Sequence, residues 1–303
     1  KAVVTPLDSI RAGVSAQTQV YHAKGCDLKS ASDDAQEAIE LARNADVAVL
    51  VMGLSQALEG EEGETANVGD RSFVELPQAQ EDFIKAVHAT GTPVVLILIN
   101  GSPLAIKWAD ENVAAIIEAW YPGQAGGTAI ADVLFGDYNP AGRLPVTFYP
   151  STASLPPFTD YSMENRTYRY LREKPLYPFG YGLSYTEFRY RELNINQEGT
   201  QVEVEVTVEN SGQRAGDEVV QLYIRKVDAA VPGPIRHLEG FKRIHLQAGE
   251  SQTVKFNLML EQFAHVTAEG KRIFESGTFE ISVGGGQPGY TNHVLTVETE
   301  IKS

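Results

Sequence analysis

The sequence predicts an α/β fold followed by an all-β fold, on three observations. Two apolar runs, DVAVLVMG (46–53) and PVVLILIN (93–100), have the length and composition of parallel strands buried on both faces. Amphipathic segments with a helical period precede both runs, which is typical of a mostly parallel sheet covered by helices. After about residue 186 the hydrophobic period falls to two, which indicates the alternating strands of a β-sandwich.

The first half of the chain alternates strands and helices. A helix beginning at Ser32 has acidic residues in its first turn and Arg43 in its last, as the helix dipole favours. Pro77 and Gly91 suit the start and the stop of the next helix. The predicted elements are a strand at 18–23, a helix from 32, a strand at 46–53, a helix at 76–91, strands at 93–100 and 113–120, and a helix at 126–136.

The predicted domain boundaries follow changes in composition. Residues 1–157 form the α/β sandwich domain, and residues 158–188, dense in Tyr and Arg without a clear period, form an ordered connector. Residues 189–303 contain six or seven alternating strands, which favours a sandwich of the immunoglobulin or fibronectin type III kind. Because a Cys…Trp…Cys pattern is missing, a fibronectin type III-like domain is the better prediction.

Composition limits the partners that the chain is expected to bind. Its 303 residues carry a formal net charge of −15, which disfavours nucleic acid and anionic membrane surfaces. No apolar run approaches the ~20 residues of a membrane span, and the single cysteine, Cys26, excludes an internal disulfide. No signal peptide opens the chain, and KAVVTPLDSIRAG has the character of the middle of a longer protein.

Motifs for common cofactors are missing from the sequence. No GxGxxG follows a strand, no GxxxxGK[ST] occurs, and the six His residues show no HExxH spacing, so neither a cofactor nor a metal is predicted. Ser102 in NGSPL superficially suits a nucleophile, but the GxSxG elbow is missing and a plain strand-to-helix turn is favoured.

An acidic, glycine-punctuated loop leaves the predicted strand 46–53. Ligands of parallel sheets bind at the carboxyl ends of the strands, so the position favours a site. A solvated or cation-binding loop is the bland alternative, although the spacing of a calcium loop is missing. Glycoside hydrolysis is the other reading, because it needs a carboxyl acid whose pKa neighbouring acids can raise. The five acidic residues are Glu59, Glu61, Glu62, Glu64 and Asp70.

The chain resembles the C-terminal part of glycoside hydrolase family 3, the β-glucosidase and β-xylosidase family. The resemblance runs through ADVAVLVMGLSQALEGEEGE, TPVVLILINGSPL, AWYPGQAGGTAIADVLFGDYNPAGRLPVTFY and LYPFGYGLSYTEF, and continues into VTVENSGQRAGDEVVQLYI and GFKRIHLQAGES. These motifs cover nearly the whole chain, and their order is highly specific.

The resemblance implies a division of labour between two domains. Family members have an N-terminal (β/α)8 barrel that carries an Asp nucleophile, and a loop of the sandwich domain supplies the general acid/base. The pattern L-E-G-E followed by DR and LP maps the acid/base onto Glu59, with Glu61 and Glu62 as alternates. Asp70 and Arg71 match the DR, and we expect them to anchor the loop as an ion pair.

The departures from the family pattern are equally informative. The barrel and the usual opening strand of the sandwich, similar to VAVIGP, are missing from this chain. We therefore expect a fragment of a retaining exo-β-glycosidase that is inactive alone and whose partners are the barrel and β-linked oligosaccharides or aryl β-glycosides. Glucosides and xylosides remain level as substrates.

Several alternatives stay open. A non-catalytic carbohydrate-binding or scaffolding module, derived from such an enzyme, is the rival function. A homodimer through the fibronectin-like domain is a further option. A secreted or periplasmic location is favoured over a cytoplasmic one.

Overall fold

The computed structural model describes residues 3–60, 71–227, 229, 233–267, 269–291 and 293–303. The chain forms two compact units. The N-terminal unit comprises Lys1–Tyr138 with Phe148–Leu155, and the C-terminal unit comprises Asn139–Thr147 with Pro156–Ser303. The three-part division at residues 157 and 188 that the sequence predicts stays a prediction.

A three-stranded parallel sheet of order β1-β2-β3 forms the centre of the N-terminal unit. Its strands pair with Ala48 opposite Val94 and with Val95 opposite Ala115. The elements are α1 (Pro6–Gly13), α2 (Ala35–Arg43), β1 (Ala48–Gly53), α3 (Gln56–Glu59), α4 (Gln78–His88), β2 (Val94–Ile99), α5 (Lys107–Asn112), β3 (Ala115–Glu118) and α6 (Gly126–Phe135), with a 3-10 turn at Thr152–Ser154.

The apolar runs form strands because both of their faces are covered. In β2, Leu96, Ile97 and Leu98 are almost fully buried. Helix α4 presents Phe83 and Val87, one turn apart, to a cluster that includes β1 and β2 residues and Ala42 of α2. This packing confirms the predicted parallel α/β fold, because each buried face removes apolar surface from water.

Two predicted strands differ from the structure. The segment 18–23, predicted as a strand, forms neither strand nor helix, and Tyr21 is 60% exposed. Its alternation has no partner, because none of the strands in the described part of the chain pairs with it. Strand β3 is four residues long instead of eight: Val113 still caps helix α5, and beyond the strand Trp120 takes a positive φ of 52°.

The C-terminal unit is a β-sandwich, as predicted. One sheet has the order β12-β11-β6-β7 and the other has the order β4-β5-β8. Their strands, with helix α7 and two short strands, are α7 (Thr167–Tyr170), β4 (Phe188–Glu198), β5 (Gln201–Asn210), β6 (Gly216–Lys226), β7 (His237–Leu246), β8 (Ser251–Met259), β9 (His265–Val266), β10 (Arg272–Ile273), β11 (Gly277–Gly284) and β12 (Val294–Ile301), with a 3-10 turn at Leu260–Phe263.

The two sheets share one apolar core. Alternate residues of β5, Val202, Val204, Val206 and Val208, are all fully buried in it, as the period of two requires. Residues 139–147 and 156–187, which precede β4, also belong to this unit. Arg143 makes a buried ion pair with Glu218 of β6 at 3.0 Å, and Tyr168 stacks on Phe179 with ring centroids 4.2 Å apart.

The described helices include none that is long and apolar enough to cross a membrane.

The end of β1, where the acidic loop begins, is held by Gln80 of α4. Its buried amide donates to the carbonyl oxygen of Gly53 at 2.7 Å and accepts the Gly53 N–H at 2.8 Å. Gly53 has a φ of 133°, and a Cβ built on it would overlap the backbone of Ile99 on β2. Only glycine lets the two strand ends approach this closely.

We expect Gly53→Ala to destabilise the N-terminal unit more than Gly91→Ala does. Gly91 also has a positive φ, but a Cβ there meets open space, so it costs only the backbone strain of about 1–2 kcal/mol. The overlap at Gly53 adds about 1–3 kcal/mol to the loss of unfolding free energy. Urea unfolding followed by tryptophan fluorescence measures both variants, because Trp108 and Trp120 lie in this unit. Equal losses would contradict the tight approach.

Candidate functional site

The candidate site lies at the carboxyl edge of the parallel sheet. Three loops meet there, one from the end of each strand. The loop after β1 contains helix α3, the loop after β2 contains Gly101 and Ser102, and the loop after β3 contains Trp120 and Tyr121. Because parallel strands end at the same edge, the fold brings together side chains that are far apart in the sequence.

Glu59 is the last residue of the single-turn helix α3. Its backbone N–H donates to the carbonyl oxygen of Ser55 at 3.0 Å, and its own carbonyl oxygen accepts the N–H of Arg71 at 2.9 Å. The backbone of Glu59 is therefore bonded to both ends of the acidic loop.

The Glu59 carboxylate accepts hydrogen bonds from both neighbouring loops. Oε1 accepts the N–H of Gly101 at 2.8 Å and the hydroxyl of Ser102 at 2.7 Å, and Oε2 accepts the hydroxyl of Tyr121 at 2.6 Å. A Cβ on Gly101 would lie 2.7 Å from both Glu59 Oε2 and the Tyr121 ring, so the close approach depends on glycine. These donors hold the carboxylate in one orientation.

The pKa of Glu59 is below its ordinary value in this arrangement. Burial acts in the opposite direction and raises it, but the hydrogen bonds from Tyr121, Ser102 and Gly101 together outweigh burial. Each of these bonds is stronger to an anion than to a neutral acid, so together they favour the ionised form. Partial burial and the bond to Glu59 correspondingly raise the pKa of Tyr121.

This direction differs from the sequence-based expectation that neighbouring acids raise the pKa of the catalytic glutamate. Sequence reasoning counted the charges of the loop and missed the donors from the next two strands. The loop acids Glu61, Glu62, Glu64 and Asp70 lie outside the described residues, and with them the two alternates for the acid/base role.

Arg71 secures the end of the acidic loop. Besides the backbone bond to Glu59, its guanidinium donates to the carbonyl oxygen of Pro103. Burial lowers the pKa of Arg71, whereas the negative charges of Glu59 and Glu75 raise it. The sequence predicts that Arg71 anchors the loop as an ion pair with Asp70, which is not among the described residues, so this pairing stays a prediction.

Glu75 fixes the chain a few residues further on. Its carboxylate accepts the N–H and the hydroxyl of Thr152 at 2.7 and 2.6 Å. The Thr152 hydroxyl also accepts the N–H of Val74 at 2.9 Å. The chain that follows the acidic loop is therefore bonded to Thr152 of the same unit.

Trp120 turns the chain so that Tyr121 reaches Glu59. Its positive φ of 52° is uncommon for a bulky residue and indicates local strain that packing must hold. The Trp120 indole packs edge-on against Phe148, with ring centroids 6.1 Å apart. Strained backbone of this kind concentrates at functional sites.

Ser102 and Tyr121 are site residues that sequence reasoning did not identify as such. The sequence disfavours Ser102 as a nucleophile, and in the structure its hydroxyl donates to Glu59. Tyr121 stands inside the motif AWYPGQAGG, which was the signal that could have drawn attention to it. No group of three or more His, Cys, Asp or Glu that could hold a metal occurs within the described ranges.

We expect Tyr121→Phe to raise the pKa of Glu59. The variant keeps the ring but removes the donor to Oε2, so burial acts against the charged form with one bond less to oppose it. Titration of the Glu59 carboxyl carbon by NMR measures the change. Tyr161→Phe, at a tyrosine that is 82% exposed, is the matched control. A pKa that stays constant or falls in Tyr121→Phe would refute this account of the electrostatics.

Two family profiles match the chain. The glycosyl hydrolase family 3 C-terminal domain matches residues 1–185, and the fibronectin type III-like domain matches residues 218–287. The second match confirms the predicted type of β-sandwich.

Relatives and solved structures agree with these matches. The chain is 40% identical over 312 residues to a "Beta-xylosidase" of Formosa agariphila, covering 99% of this chain and 42% of the relative. It is 40% identical over 264 residues to a "Periplasmic beta-glucosidase" of Salmonella typhimurium, covering 82% of this chain and 34% of that protein. The structure of a β-glucosidase from Erythrobacter marinus matches with a TM-score of 0.85 at 33% identity, over 99% of this chain and 43% of that one.

The chain thus spans less than half the length of these proteins. The two family profiles match the two parts of its fold, and relatives that bear β-xylosidase or β-glucosidase names match most of its length. The chain belongs to glycosyl hydrolase family 3, of which it carries the C-terminal domain followed by a fibronectin type III-like domain.

Proposed function

We propose that this chain is part of a retaining exo-β-glycosidase that hydrolyses terminal non-reducing β-D-glucosyl or β-D-xylosyl residues. Glu59 is the general acid/base in this proposal, and a (β/α)8 barrel outside the chain supplies the Asp nucleophile. The observation that carries the proposal is the Glu59 carboxylate, held by Gly101, Ser102 and Tyr121 at the carboxyl edge of the sheet. The names of the relatives support the same chemistry.

The reaction has two steps in which Glu59 has opposite tasks. In the first step, the barrel aspartate attacks the anomeric carbon while Glu59 gives its proton to the departing glycosidic oxygen. In the second step, Glu59, now a carboxylate, takes a proton from the water that cleaves the glycosyl-enzyme ester. The three donors around Glu59 favour its anionic form and so suit the second step.

The first step needs Glu59 in its protonated form. A second negative charge close to Glu59 favours that form by raising its pKa. An ionised nucleophile about 5 Å away raises the pKa of the acid, because two like charges resist joint ionisation. Formation of the ester removes that charge, and the pKa of Glu59 falls again. The three donors of this chain then favour the carboxylate form of Glu59, which the second step needs.

The relatives also bear on the substrate and the location. Both β-glucosides and β-xylosides remain in the proposal, because relatives of comparable identity bear both names. A secreted or periplasmic location is supported by the relative named periplasmic. The homodimer predicted from the sequence stays a prediction, which light scattering of the purified chain tests.

A carbohydrate-binding module without catalysis is the second candidate function. It is supported by two strongly exposed aromatic side chains, Phe158 at 88% and Tyr161 at 82%, which could stack on sugar rings. Binding of insoluble xylan or cellulose by this chain, lost in the Phe158→Ala and Tyr161→Ala double variant, would favour it. Full catalysis by the complete protein would favour the first candidate.

We expect this chain alone to show no glycosidase activity. It presents one of the two carboxyl groups that a retaining enzyme needs, and the other belongs to the barrel in this proposal. Assays with para-nitrophenyl β-glucoside and β-xyloside measure this directly, with the complete protein as the positive control. Turnover by the purified chain would overturn the proposed division of labour.

We expect Glu59→Ala in the complete protein to lower kcat by about 10²–10⁴-fold on natural disaccharides, the usual contribution of a general acid. The loss is smaller on para-nitrophenyl glycosides, because their leaving group departs with little protonation. Azide restores turnover in the variant by attacking the glycosyl-enzyme without a general base. Steady-state kinetics with and without azide measure these effects.

The matched control is Glu111→Ala, which removes an exposed carboxyl group from α5 of the same unit. We expect this variant to keep its activity. If Glu59→Ala were fully active, the acid/base role would move to Glu61 or Glu62.

A further inference from the structure

Glu118 is a second carboxyl group at the edge of the sheet that carries Glu59. It is the last residue of β3, and its Oε1 accepts the N–H of Trp120 at 3.3 Å. Its Oε2 is buried, and within the described part of the chain it has no hydrogen-bond partner. A buried carboxylate oxygen without a donor is costly, so the ionised form of Glu118 is poorly accommodated.

Asn100 connects this carboxyl group to the Glu59 site. Its side chain is fully buried one residue beyond β2, and its amide nitrogen donates to the carbonyl oxygen of Ser102 at 3.0 Å. The Asn100 side chain also lies close enough to Glu118 to lower the pKa of that carboxyl group. Ser102 in turn donates its hydroxyl to Glu59. One continuous chain of contacts therefore runs from Glu118 to Glu59.

Two acceptors in this chain of contacts lack donors. The Oδ1 of Asn100 is buried without a partner, as is the Oε2 of Glu118. A proton on Glu118 converts one of these two acceptors into a donor. The neutral acid therefore satisfies the hydrogen-bonding requirement better than the carboxylate does.

The surroundings of the two carboxyl groups also favour the proton on Glu118 over Glu59. Burial raises the pKa of Glu118 to about 7, against the bonds from Asn100 and Trp120, and the negative charge of Glu59 raises it further. Glu59 itself faces the Arg71 guanidinium and the Tyr121 hydroxyl, and its pKa is lowered. When the pair holds one proton, that proton resides mainly on Glu118.

We propose that Glu118 is a positioning residue that stores the proton of the Glu59 site, so that the two carboxyl groups share one proton around neutral pH. This inference rests on the proposed acid/base role of Glu59. Glu59 is partly exposed and exchanges with water, so it takes up a proton from solvent as Glu118 releases one to solvent. The net charge of the pair stays at −1 during the exchange.

Sharing changes how the protonated fraction of Glu59 depends on pH. A lone carboxyl group loses its protonated form tenfold per pH unit above its pKa. In a pair that holds one proton, the fraction carried by Glu59 stays constant between the two macroscopic release steps. Glu118 therefore keeps a fixed fraction of the general acid ready at a pH where Glu59 alone would have lost it.

The first test titrates this chain by NMR and needs no activity. We expect the Glu118 carboxyl carbon to titrate with a midpoint near 7, and Glu59 to show a second step at the same pH. Glu118→Gln copies the shape of the neutral acid, and we expect it to abolish the second step of Glu59, whereas the control Glu111→Gln leaves it in place. Should Glu118→Gln not fold, sequential assignment of both carboxyl carbons in the unmodified chain carries the test. A Glu118 midpoint near that of an ordinary glutamate, or a Glu59 titration without a second step, would overturn the proposal.

The second test measures kcat/KM against pH in the complete protein. We expect Glu118→Gln to move the basic limb to lower pH, with about a tenfold loss at pH 7 for each pH unit that the limb moves. Activity on the acidic side is retained, which a merely destabilised variant would not show. An unmoved basic limb would refute the role of Glu118. A fully active Glu59→Ala variant would instead refute the proposed function. The NMR titration would still decide whether Glu118 and Glu59 share a proton, because it does not depend on activity.

Discussion

The parallel register of β1, β2 and β3 is the constraint on which the candidate site depends. It brings three loops to one edge, so a carboxylate from the first meets backbone and hydroxyl donors from the second and third. Glycine at Gly53 and Gly101 allows the approach, and Gln80 holds the end of β1 in place. Little of this geometry is local, because Glu59 and Tyr121 are 62 residues apart in the chain.

The electrostatics of this edge separates two carboxyl groups that would otherwise be alike. Glu59 lies among donors that lower its pKa against the effect of burial, whereas Glu118 is half-buried and short of donors, and burial raises its pKa to about 7. Their environments push the two pKa values apart, which is the pattern expected where one group must release a proton and the other keep it. The sign of the Glu59 shift is set by three neighbours that contribute no formal charge: a backbone N–H and two hydroxyls.

The sequence was sufficient to predict the fold class, because the apolar runs of β1 and β2 and the alternation in β5 follow directly from which faces are buried. It wrongly predicted a strand at 18–23, because the alternation of a segment does not show whether a partner strand is available. Glu59 could be proposed from a motif, but its donors could not, since Tyr121 reaches it only through the turn at Trp120.

The two units exchange short stretches of chain. Residues 139–147 belong to the C-terminal unit, and the next eight, which include the nearly inaccessible Phe148, belong to the N-terminal one. No single cut in the polypeptide therefore yields two intact pieces, since a truncation after Tyr138 strips Phe148 and Thr152 from the body that contains them. Expressing either half in isolation would therefore require a grafted or circularly rearranged gene.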